Sequence, residues 1–316
     1  MKIYITDCDH DNIDIETKVF KDAGMDFKLC QARTEDEVIK QCGDGDIFIV
    51  QYAPITRKVM DAVPSLKYVV RYGVGVDTVD LKAATEKGIQ VGNVPDYGMN
   101  EVADHALSLL LDLKRKIYLM NPYTKTEKWD YAKSIPIHRF STQTVGVVGL
   151  GRIGRNFATK AHALGFNVIG YDPYYKETPE ISFIKAVPFD ELVKTADAIS
   201  LHIPADNNKD LFNADTFKQM KDSAVIINVA RGGIINEDDL DQALTDGEIA
   251  GAGIDCMTKE PMTANAMIFR HSNLIATPHM AWYSEEAAEE LKRKVAEEAV
   301  RFAKGEPIHY PVNHLK

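Results

Sequence analysis

The chain has 316 residues, which is longer than one average domain, so we expect two domains. Its composition, 45% hydrophobic and 27% charged, is typical of a soluble globular protein. The formal net charge of −10 argues against a protein that binds nucleic acid or a membrane surface, because such proteins carry basic patches.

The cysteines and the N-terminus indicate a reducing compartment. The four cysteines (Cys8, Cys30, Cys42 and Cys256) are scattered, with neither a C-x-x-C motif nor a His/Cys cluster at metal-ligand spacing. The opening stretch MKIYITDCDHDN becomes acidic where a signal peptide would be apolar. No apolar run approaches the ~20 residues that span a bilayer. We therefore expect a cytoplasmic protein with free thiols and no metal site.

The first third of the chain alternates short apolar runs with longer amphipathic ones, which is the pattern of βαβ units in a parallel sheet. Strands are predicted at KIYIT, FKLCQ, DIFIV, KYVVRY and IQVGNV. Helices such as TEDEVIKQC and TRKVMDAV lie between them. This region predicts one doubly wound sheet.

A second series begins near residue 100. From Asn100, the stretch NEVADHALSLLLDLKRKIYLM has apolar residues every three or four positions and predicts one long helix. Further strands are predicted at TVGVV, FNVIGYD, AISLHIP, AVIINVA, IAGAGID and NLIAT. The final amphipathic stretch predicts a helix with Ser284 as its N-cap and acidic residues in its first turn. The fold class is therefore α/β, with two separate parallel sheets.

The clearest local motif is G-x-G-x-x-G, formed by Gly149, Gly151 and Gly154 directly after a predicted strand and at the start of a helix. In such a motif the first glycine makes a tight turn and the second lets the backbone approach a pyrophosphate. The third lets the helix pack on the strand. The helix N-terminus then offers N–H groups and a positive dipole end to the phosphates. The motif predicts a dinucleotide site.

Asp172 ends the next predicted strand, eighteen residues after Gly154. A carboxylate there can accept hydrogen bonds from both ribose hydroxyls and would repel a 2′-phosphate, which favours NAD over NADP. An ordinary turn aspartate before Pro173 is the alternative interpretation.

Polar residues follow the last three predicted strands: Arg231, then Asp255 and Glu260, then His279. Since ligands bind outside the carboxyl ends of the strands in such sheets, these residues are expected near the nicotinamide. Arginine can bind a carboxylate and polarise a carbonyl, histidine can donate a proton, and glutamate can orient the imidazole. Each residue alone is better explained as a surface or packing residue, but their joint occurrence downstream of the glycine motif predicts reduction of a 2-oxo acid.

Together these motifs resemble the D-isomer-specific 2-hydroxyacid dehydrogenase family. The resemblance rests on VGLGRIG, LHIP, NVARGGIINEDDL, GIDCMTKEP and TPHMAW, with LKYVVRYGVGVDTVDL and GMNEVADHALSLLL upstream. It extends from about Tyr52 to the final helix. HMAWYSEEA and KWDYAKSIPIHR look most like the branch of C-terminal-binding-protein-like and glycerate or hydroxypyruvate dehydrogenases.

The resemblance implies a catalytic set of Arg231, Glu260 and His279, with Asp255 on the nicotinamide carboxamide. It implies that the loop from Tyr72 to Gly75 offers backbone N–H groups to the substrate carboxylate. The expected cofactor-binding residues are Gly149, Gly151, Arg152, Ile153, Gly154, Asp172, His202, Pro204, Val229, Ala230, Asp255 and His279. The expected substrate-binding residues are Tyr52, Tyr72, Gly73, Val74, Gly75, Arg231 and Trp282.

The family also implies the domain organisation. A Rossmann NAD-binding domain (residues 99–282) is expected to be inserted into a flavodoxin-like substrate-binding domain (residues 1–98 and 283–316), with the active site in the cleft and homodimers formed through the cofactor domain. The chain departs from the family pattern after LHIP, where ADNNKDLF replaces the usual Thr-bearing loop, so no cofactor contact is assigned there.

The substrate is expected to be a small, unphosphorylated 2-oxo acid related to glyoxylate, hydroxypyruvate or pyruvate. Tyr52 and Trp282 suggest an apolar or uncharged side chain, although domain-interface packing explains them equally well. A phosphorylated substrate would need Arg or Lys nearby, and Arg57, Arg71 or Lys133 could supply it. Two alternatives therefore stay open: a 3-phosphoglycerate dehydrogenase, and an NAD(H)-responsive regulator like the C-terminal-binding proteins.

Overall fold

The computed structural model describes residues 1–262 and 270–315. The chain divides into two compact units, one formed by Met1–Gly98 with Ser284–Lys316 and the other by Met99–Tyr283. In the described ranges, no helix combines the length and apolarity needed to cross a bilayer.

The first unit contains a parallel sheet of five strands in the order β2–β1–β3–β4–β5. The strands are β1 (Ile3–Ile5), β2 (Phe27–Leu29), β3 (Ile47–Val50), β4 (Tyr68–Arg71) and β5 (Gln90–Gly92). All five lie where the apolar runs predict them. The order reverses between β1 and β3, which is the flavodoxin-like topology. Every residue of β3 is buried, as expected for a central parallel strand covered on both faces.

Five helices flank this sheet: α1 (Asp14–Asp22), α2 (Glu35–Cys42), α3 (Arg57–Ala62), α4 (Leu81–Glu86) and α11 (Glu285–Ala303). Helix α2 begins with a capping box in which the side chains of Thr34 and Glu37 accept each other's backbone N–H. Helix α11 is capped by Ser284, whose Oγ accepts the N–H of Ala287 at 2.9 Å, so the predicted cap is confirmed.

The second unit contains a parallel sheet of seven strands in the order β12–β11–β10–β9–β6–β7–β8. They are β6 (Thr144–Val148), β7 (Asn167–Tyr171), β8 (Lys185–Ala186), β9 (Ala198–Leu201), β10 (Val225–Asn228), β11 (Gly251–Ile254) and β12 (Leu274–Ala276). Six of the seven match the predicted runs. The exception, β8, is a two-residue edge strand with both side chains exposed, so it has no apolar pattern to detect.

The order reverses between β6 and β9, as in a Rossmann sheet, and dinucleotides bind at such a switch point. The flanking helices are α5 (Met99–Arg115), α6 (Ile117–Thr124), α7 (Arg152–Ala163), α8 (Phe189–Thr195), α9 (Ala214–Phe217) and α10 (Glu237–Asp246). The expected α/β fold with two doubly wound parallel sheets is confirmed.

The expectation of one helix from Asn100 to Met120 is wrong. Helix α5 ends at Arg115, and Lys116 adopts a left-handed conformation with φ 55° before α6 begins. The Oδ1 atom of Asp112 accepts the N–H of Tyr118 at 2.6 Å, which gives the new helix a partner for one of its free donors. Because apolar spacing continues through the break, periodicity alone does not reveal it.

Candidate active site

The turn between β6 and α7 is shaped by two glycines that tolerate no side chain. Gly149 has φ +93°, and a Cβ there would lie 2.4 Å from the carbonyl oxygen of His202 on the neighbouring strand end. A Cβ on Gly154 would lie 1.9 Å from the carbonyl oxygen of Gly149. Both contacts are far shorter than van der Waals distance, so the turn closes only with glycine at these positions.

Gly151 differs, because a Cβ there would meet no atom within 4 Å. It is the N-cap of α7 and has no side chain, so it places no cap on the N–H groups of the first turn. Arg152 is exposed and Ile153 is half-buried in that first turn. The glycine is therefore not needed for packing within the chain, and its open face fits the close approach of a pyrophosphate.

Asp172 lies next to this turn, at the end of β7. Its Oδ2 accepts the N–H of Leu150, inside the glycine motif, at 2.8 Å, and its Oδ1 accepts the N–H of Tyr174 at 2.8 Å. A carboxylate has about four acceptor positions, so the side chain still has capacity for ribose hydroxyls. The structure thus brings Asp172 to the predicted dinucleotide turn and also gives it a role in holding that turn.

His202 follows β9 at the switch point, and Pro204 lies exposed two residues further on. The Nε2 of His202 bonds the Oγ of Ser200 at 2.9 Å, and its ring packs 5.1 Å from that of Phe157. Burial lowers the pKa of His202 to about 3, so the imidazole is neutral at physiological pH. This ring is a packing and hydrogen-bonding group and not a source of positive charge.

Arg231 is held by a turn that begins at the last residue of β10. Asn228 is almost fully buried; its side-chain nitrogen donates to the Arg231 carbonyl at 2.8 Å and its oxygen accepts the N–H of Ala230 at 3.0 Å. Val229 and Ala230 occupy this turn, where cofactor contacts are expected. Asn228 was not singled out from the sequence, although a polar residue that ends an apolar strand is a usable signal.

The Arg231 turn packs directly on the segment that leads to Glu260. A Cβ on Gly232 would lie 2.2 Å from the carbonyl carbon of Met257, so the two backbones touch. On its other side, the carbonyl of Gly233 in this turn accepts the N–H of Asp210 at 2.8 Å. The ADNNKDLF segment, for which the sequence suggests no role, thus stabilises the Arg231 turn through a backbone hydrogen bond.

Glu260 and His279 form the central pair of the site. The Nδ1 of His279 lies 2.7 Å from Oε2 of Glu260, while Oε1 of Glu260 accepts the N–H of Met257 at 2.8 Å. Burial alone would raise the pKa of Glu260, but the bonds from His279 and Met257, with the charge of Arg231, lower it. Glu260 is therefore an ionised acceptor that holds one imidazole nitrogen and leaves Nε2 for a ligand. The His279 side chain is 45% exposed.

Asp255 lies beneath the turn that carries His279. Its carboxylate is almost fully buried and accepts the N–H of Met280 at 3.0 Å, the N–H of Ala281 at 2.9 Å and the hydroxyl of Thr277 at 2.5 Å. Its backbone carbonyl accepts the N–H of His279 at 2.8 Å. The chain itself thus fills most of the acceptor capacity of the residue expected to bind the carboxamide.

In the first unit, the loop after β4 differs in part from expectation. Tyr72 offers no N–H group to a ligand, because its N–H donates to the carbonyl of Val50 at 2.9 Å. Its side chain is buried and its hydroxyl donates to Glu16 at 2.8 Å. Tyr72 therefore anchors the loop through its buried side chain and its own backbone hydrogen bond.

The N–H groups of Gly73, Val74 and Gly75 have no acceptor in residues 1–262 and 270–315. The guanidinium of Arg71 lies under this loop, since a Cβ on Gly73 would nearly touch one of its nitrogens. The loop thus combines three available donors with a nearby cation, which suits a carboxylate.

Tyr52 lies on a loop whose backbone N–H groups donate hydrogen bonds to the buried carboxylate of Asp7. Asp7 is fully buried and accepts the N–H groups of Gln51, Tyr52 and Ala53 at 2.8–3.2 Å. The hydroxyl of Tyr52 donates to Asp9 at 3.2 Å; burial and the charge of Asp9 raise its pKa to about 12. Half of the Tyr52 side chain stays exposed beside a negative charge.

Trp282, at the end of the second unit, is partly buried. Its ring meets that of Tyr283 edge-on, with 5.5 Å between the centroids. Among the described residues, no group of His, Cys, Asp and Glu side chains is placed to hold a metal ion.

Comparison with known proteins places these features in a family. Residues 107–281 match the D-isomer-specific 2-hydroxyacid dehydrogenase NAD-binding domain. A hydroxypyruvate reductase from Blautia hydrogenotrophica is 32% identical over 87% of this chain and 87% of its own. A D-3-phosphoglycerate dehydrogenase from Methanocaldococcus jannaschii is 36% identical over 99% of this chain and 59% of its own.

The chain spans 45% to 59% of the length of the first three curated relatives it matches. Among solved structures, an acyclic imino acid reductase in complex with NADPH and D-Arg has a TM-score of 0.90 and is 28% identical, with 99% of this chain and 100% of that chain covered. The matched segment contains the glycine turn, Arg231, Glu260 and His279. The chain therefore belongs to the D-isomer-specific 2-hydroxyacid dehydrogenase family, and residues 107–281 form its NAD-binding region.

Proposed function

We propose that the protein is an NAD-dependent D-2-hydroxyacid dehydrogenase that interconverts a small 2-oxo acid and the matching 2-hydroxy acid. The observation that carries this proposal is the 2.7 Å bond between His279 Nδ1 and Glu260 Oε2, downstream of a dinucleotide turn in the same unit. A histidine held in this way has one nitrogen fixed and the other available for proton transfer.

In the proposed reaction, the glycine turn would hold NADH, which would supply the hydride for the carbonyl carbon of the substrate. The Nε2 of His279 donates its proton to the carbonyl oxygen and takes it back in the reverse direction. Glu260 keeps the imidazole oriented and stabilises its charged form. Arg231 binds the substrate carboxylate and polarises the adjacent carbonyl.

We assign substrate binding to residues 1–98 with 283–316, and cofactor binding to residues 99–282. The N–H groups of Gly73, Val74 and Gly75 are proposed to hold the substrate carboxylate. Tyr52 and Trp282 are proposed to face its side chain. The carboxylate of Asp9, bonded to Tyr52, would repel a phosphorylated or dicarboxylic side chain. This charge supports glyoxylate, hydroxypyruvate or pyruvate as the substrate class.

A second candidate function, oxidation of 3-phosphoglycerate, is favoured by Arg71. Its guanidinium lies against Gly73 and donates to the carbonyl of Gln51 at 3.3 Å, close to the loop that binds the carboxylate in our proposal. A cation there could bind a phosphate. Several curated relatives are named D-3-phosphoglycerate dehydrogenase.

The two candidates are separated by initial rates. Purified protein is assayed with NADH and glyoxylate, pyruvate, hydroxypyruvate or 3-phosphohydroxypyruvate, and the chirality of each product is determined. We expect the highest kcat/KM with an unphosphorylated acid and a D product. A higher kcat/KM for the phosphorylated acid would select the second candidate. No turnover on any of the four acids, together with tight NADH binding, would favour a regulatory protein instead.

We also propose that the protein is cytoplasmic and forms homodimers through its NAD-binding unit. Trp129 and Tyr131 in this unit are 92% and 78% exposed, and Ile117 and Ile135 are also exposed, which is unusual for large apolar side chains. Light scattering during gel filtration should give twice the chain mass of 35.3 kDa. The variant Trp129→Ser should shift the mass toward the monomer, and an unchanged dimer mass would remove this surface from the interface.

A further inference from the structure

A chain of polar side chains reaches the catalytic turn from helix α5. The Nε2 of His105 lies 2.9 Å from Oγ1 of Thr277, and Oγ1 of Thr277 lies 2.5 Å from Oδ1 of Asp255. Thr277 begins the turn that carries His279, and Asp255 follows directly after β11. Three elements of the second unit therefore meet at one hydroxyl group.

The direction of the two hydrogen bonds follows from the donors present. An ionised carboxylate only accepts, so the single hydroxyl hydrogen of Thr277 points to Asp255. The oxygen of Thr277 must then accept from His105, and Nε2 of His105 carries a hydrogen. The order is His105 to Thr277 to Asp255, and Nε2 of His105 also lies 3.6 Å from Oδ1 of Asp255.

The Asp255 carboxylate also accepts hydrogen bonds from the turn that carries His279. The same carboxylate accepts the N–H of Met280 and of Ala281, the two residues after His279. The backbone N–H of His279 donates to the Asp255 carbonyl, and His279 itself has φ 55°, a conformation that L residues rarely adopt without local support. The position of the imidazole thus depends on where the Asp255 carboxylate lies.

We propose that His105 and Thr277 are positioning residues for His279. They orient the Asp255 carboxylate, which holds the turn and places the imidazole at the distance that proton transfer requires. Neither touches the reacting atoms. A misplacement of ~1 Å costs on the order of 100-fold in rate, so a small rotation of this carboxylate has a large effect. This inference rests on the proposed dehydrogenase function.

Thr277 offers a matched pair of variants. Thr277→Val keeps the shape and removes the hydroxyl, whereas Thr277→Ser keeps the hydroxyl. We expect Thr277→Val to lower kcat for the best 2-oxo acid at least tenfold, with the NADH dissociation constant within threefold of wild type. Thr277→Ser should stay within about threefold of wild-type kcat. Equal losses in Val and Ser variants, or an unchanged kcat in the Val variant, would overturn the proposal.

A double-mutant cycle tests whether His105 acts through Thr277. His105→Leu removes the donor, and His105→Gln keeps a side-chain N–H that can reach Thr277. If the residues act in one chain, the double variant His105→Leu/Thr277→Val loses no more kcat than the worse single variant. Losses that multiply would mean two independent structural effects and would contradict the proposal. Ser108→Ala, on the same helix with its hydroxyl bonded to Asp104, is the control with unchanged kcat.

A spectroscopic measurement keeps the proposal testable if no 2-oxo acid is turned over. The protein has nine histidines, and the imidazole ¹⁵N signals of His279 are assigned by their loss in His279→Gln. We expect Thr277→Val to shift or broaden these signals and Thr277→Ser to leave them in place. Unmoved His279 signals in Thr277→Val would overturn the positioning role, whereas absent turnover in the wild type would overturn only the proposed function.

Discussion

His279 and Glu260 are nineteen residues apart in the chain, yet Nδ1 of the one lies 2.7 Å from Oε2 of the other. Glu260 lies in the loop after β11 and His279 in the turn after β12, and these two strands are neighbours at the edge of the sheet. Parallel pairing brings the carboxyl ends of both strands to the same side. The pair is therefore a direct consequence of the strand order.

Removal of the proton donor should abolish most turnover. We expect His279→Gln to lower kcat by 10²–10⁴-fold, the usual contribution of a general acid. The NADH dissociation constant, measured by fluorescence titration, should change less than threefold. His138→Gln, outside the site, serves as the control. Turnover within threefold of wild type in His279→Gln would remove this residue from the reaction.

Glu260→Gln should impair turnover and leave cofactor binding intact. The amide keeps the shape of the side chain but removes the charge that holds Nδ1 of His279 at 2.7 Å, so we expect kcat for reduction to fall at least about tenfold. Burial would raise the pKa of Glu260, but the bonds from His279 and Met257 lower it, so the wild-type carboxylate stays ionised in mildly acidic buffer. The NADH dissociation constant, measured by fluorescence titration, should stay within threefold of wild type. A wild-type kcat in Glu260→Gln would contradict the orienting role.

Gly154 and Gly151 of the dinucleotide turn should respond differently to alanine. A Cβ on Gly154 would lie 1.9 Å from the Gly149 carbonyl, so Gly154→Ala should lower the melting temperature and impair NADH binding. A Cβ on Gly151 would meet no protein atom within 4 Å, so Gly151→Ala should leave the melting temperature unchanged and weaken only NADH binding. Wild-type NADH affinity in Gly151→Ala would mean that the pyrophosphate does not approach this position.

The sheets were predictable because buried parallel strands appear in the sequence as continuous apolar runs, as in β3 and β10. Elements without a continuous apolar run could not be predicted from the sequence. The two exposed residues of β8 carry no pattern, and the break at Lys116 depends on a local φ angle that apolar spacing does not encode.

The candidate site likewise contains residues that the sequence predicts and residues that it does not. Arg231, Glu260 and His279 are reactive residue types at strand ends, so their chemistry can be read from position. His105, Thr277 and Asp255 meet from positions distant in sequence, which a single chain does not reveal. Asn228 bonds within its own turn and ends an apolar strand, which is a usable signal. Tyr72 is a different case, because a motif names a position without showing that its N–H is already bonded to the carbonyl of Val50.

Asp172 should govern the choice between NADH and NADPH. Its carboxylate would repel a 2′-phosphate, whereas Asp172→Asn removes the charge and keeps one oxygen to accept the N–H of Leu150. We expect the ratio of kcat/KM for NADH to that for NADPH to fall by on the order of tenfold. The measurement matters because a solved relative of similar fold binds NADPH. An unchanged ratio would leave Asp172 with only its structural role at the turn.

His202 should make the stability of the fold depend on pH. In the folded protein its pKa is lowered to about 3, whereas in the unfolded chain it returns to its ordinary value of 6.5. Below pH 6.5 the unfolded state therefore binds a proton that the folded state does not. The free energy of unfolding should fall as the pH decreases from 6.5 toward 3, by up to about 1.4 kcal/mol per pH unit from this residue.

The non-titrating variant His202→Gln isolates this contribution. Urea unfolding of wild type and variant at pH 7.5, 6.0 and 5.0 gives the difference in unfolding free energy at each pH. At pH 7.5 the variant should be less stable, because it loses the packing on Phe157 and the bond to Ser200. That deficit should shrink as the pH falls, since only the wild type loses stability by protonation of this residue. A deficit that stays constant from pH 7.5 to 5.0 would show that the folded state accepts a proton at His202 as readily as the unfolded chain.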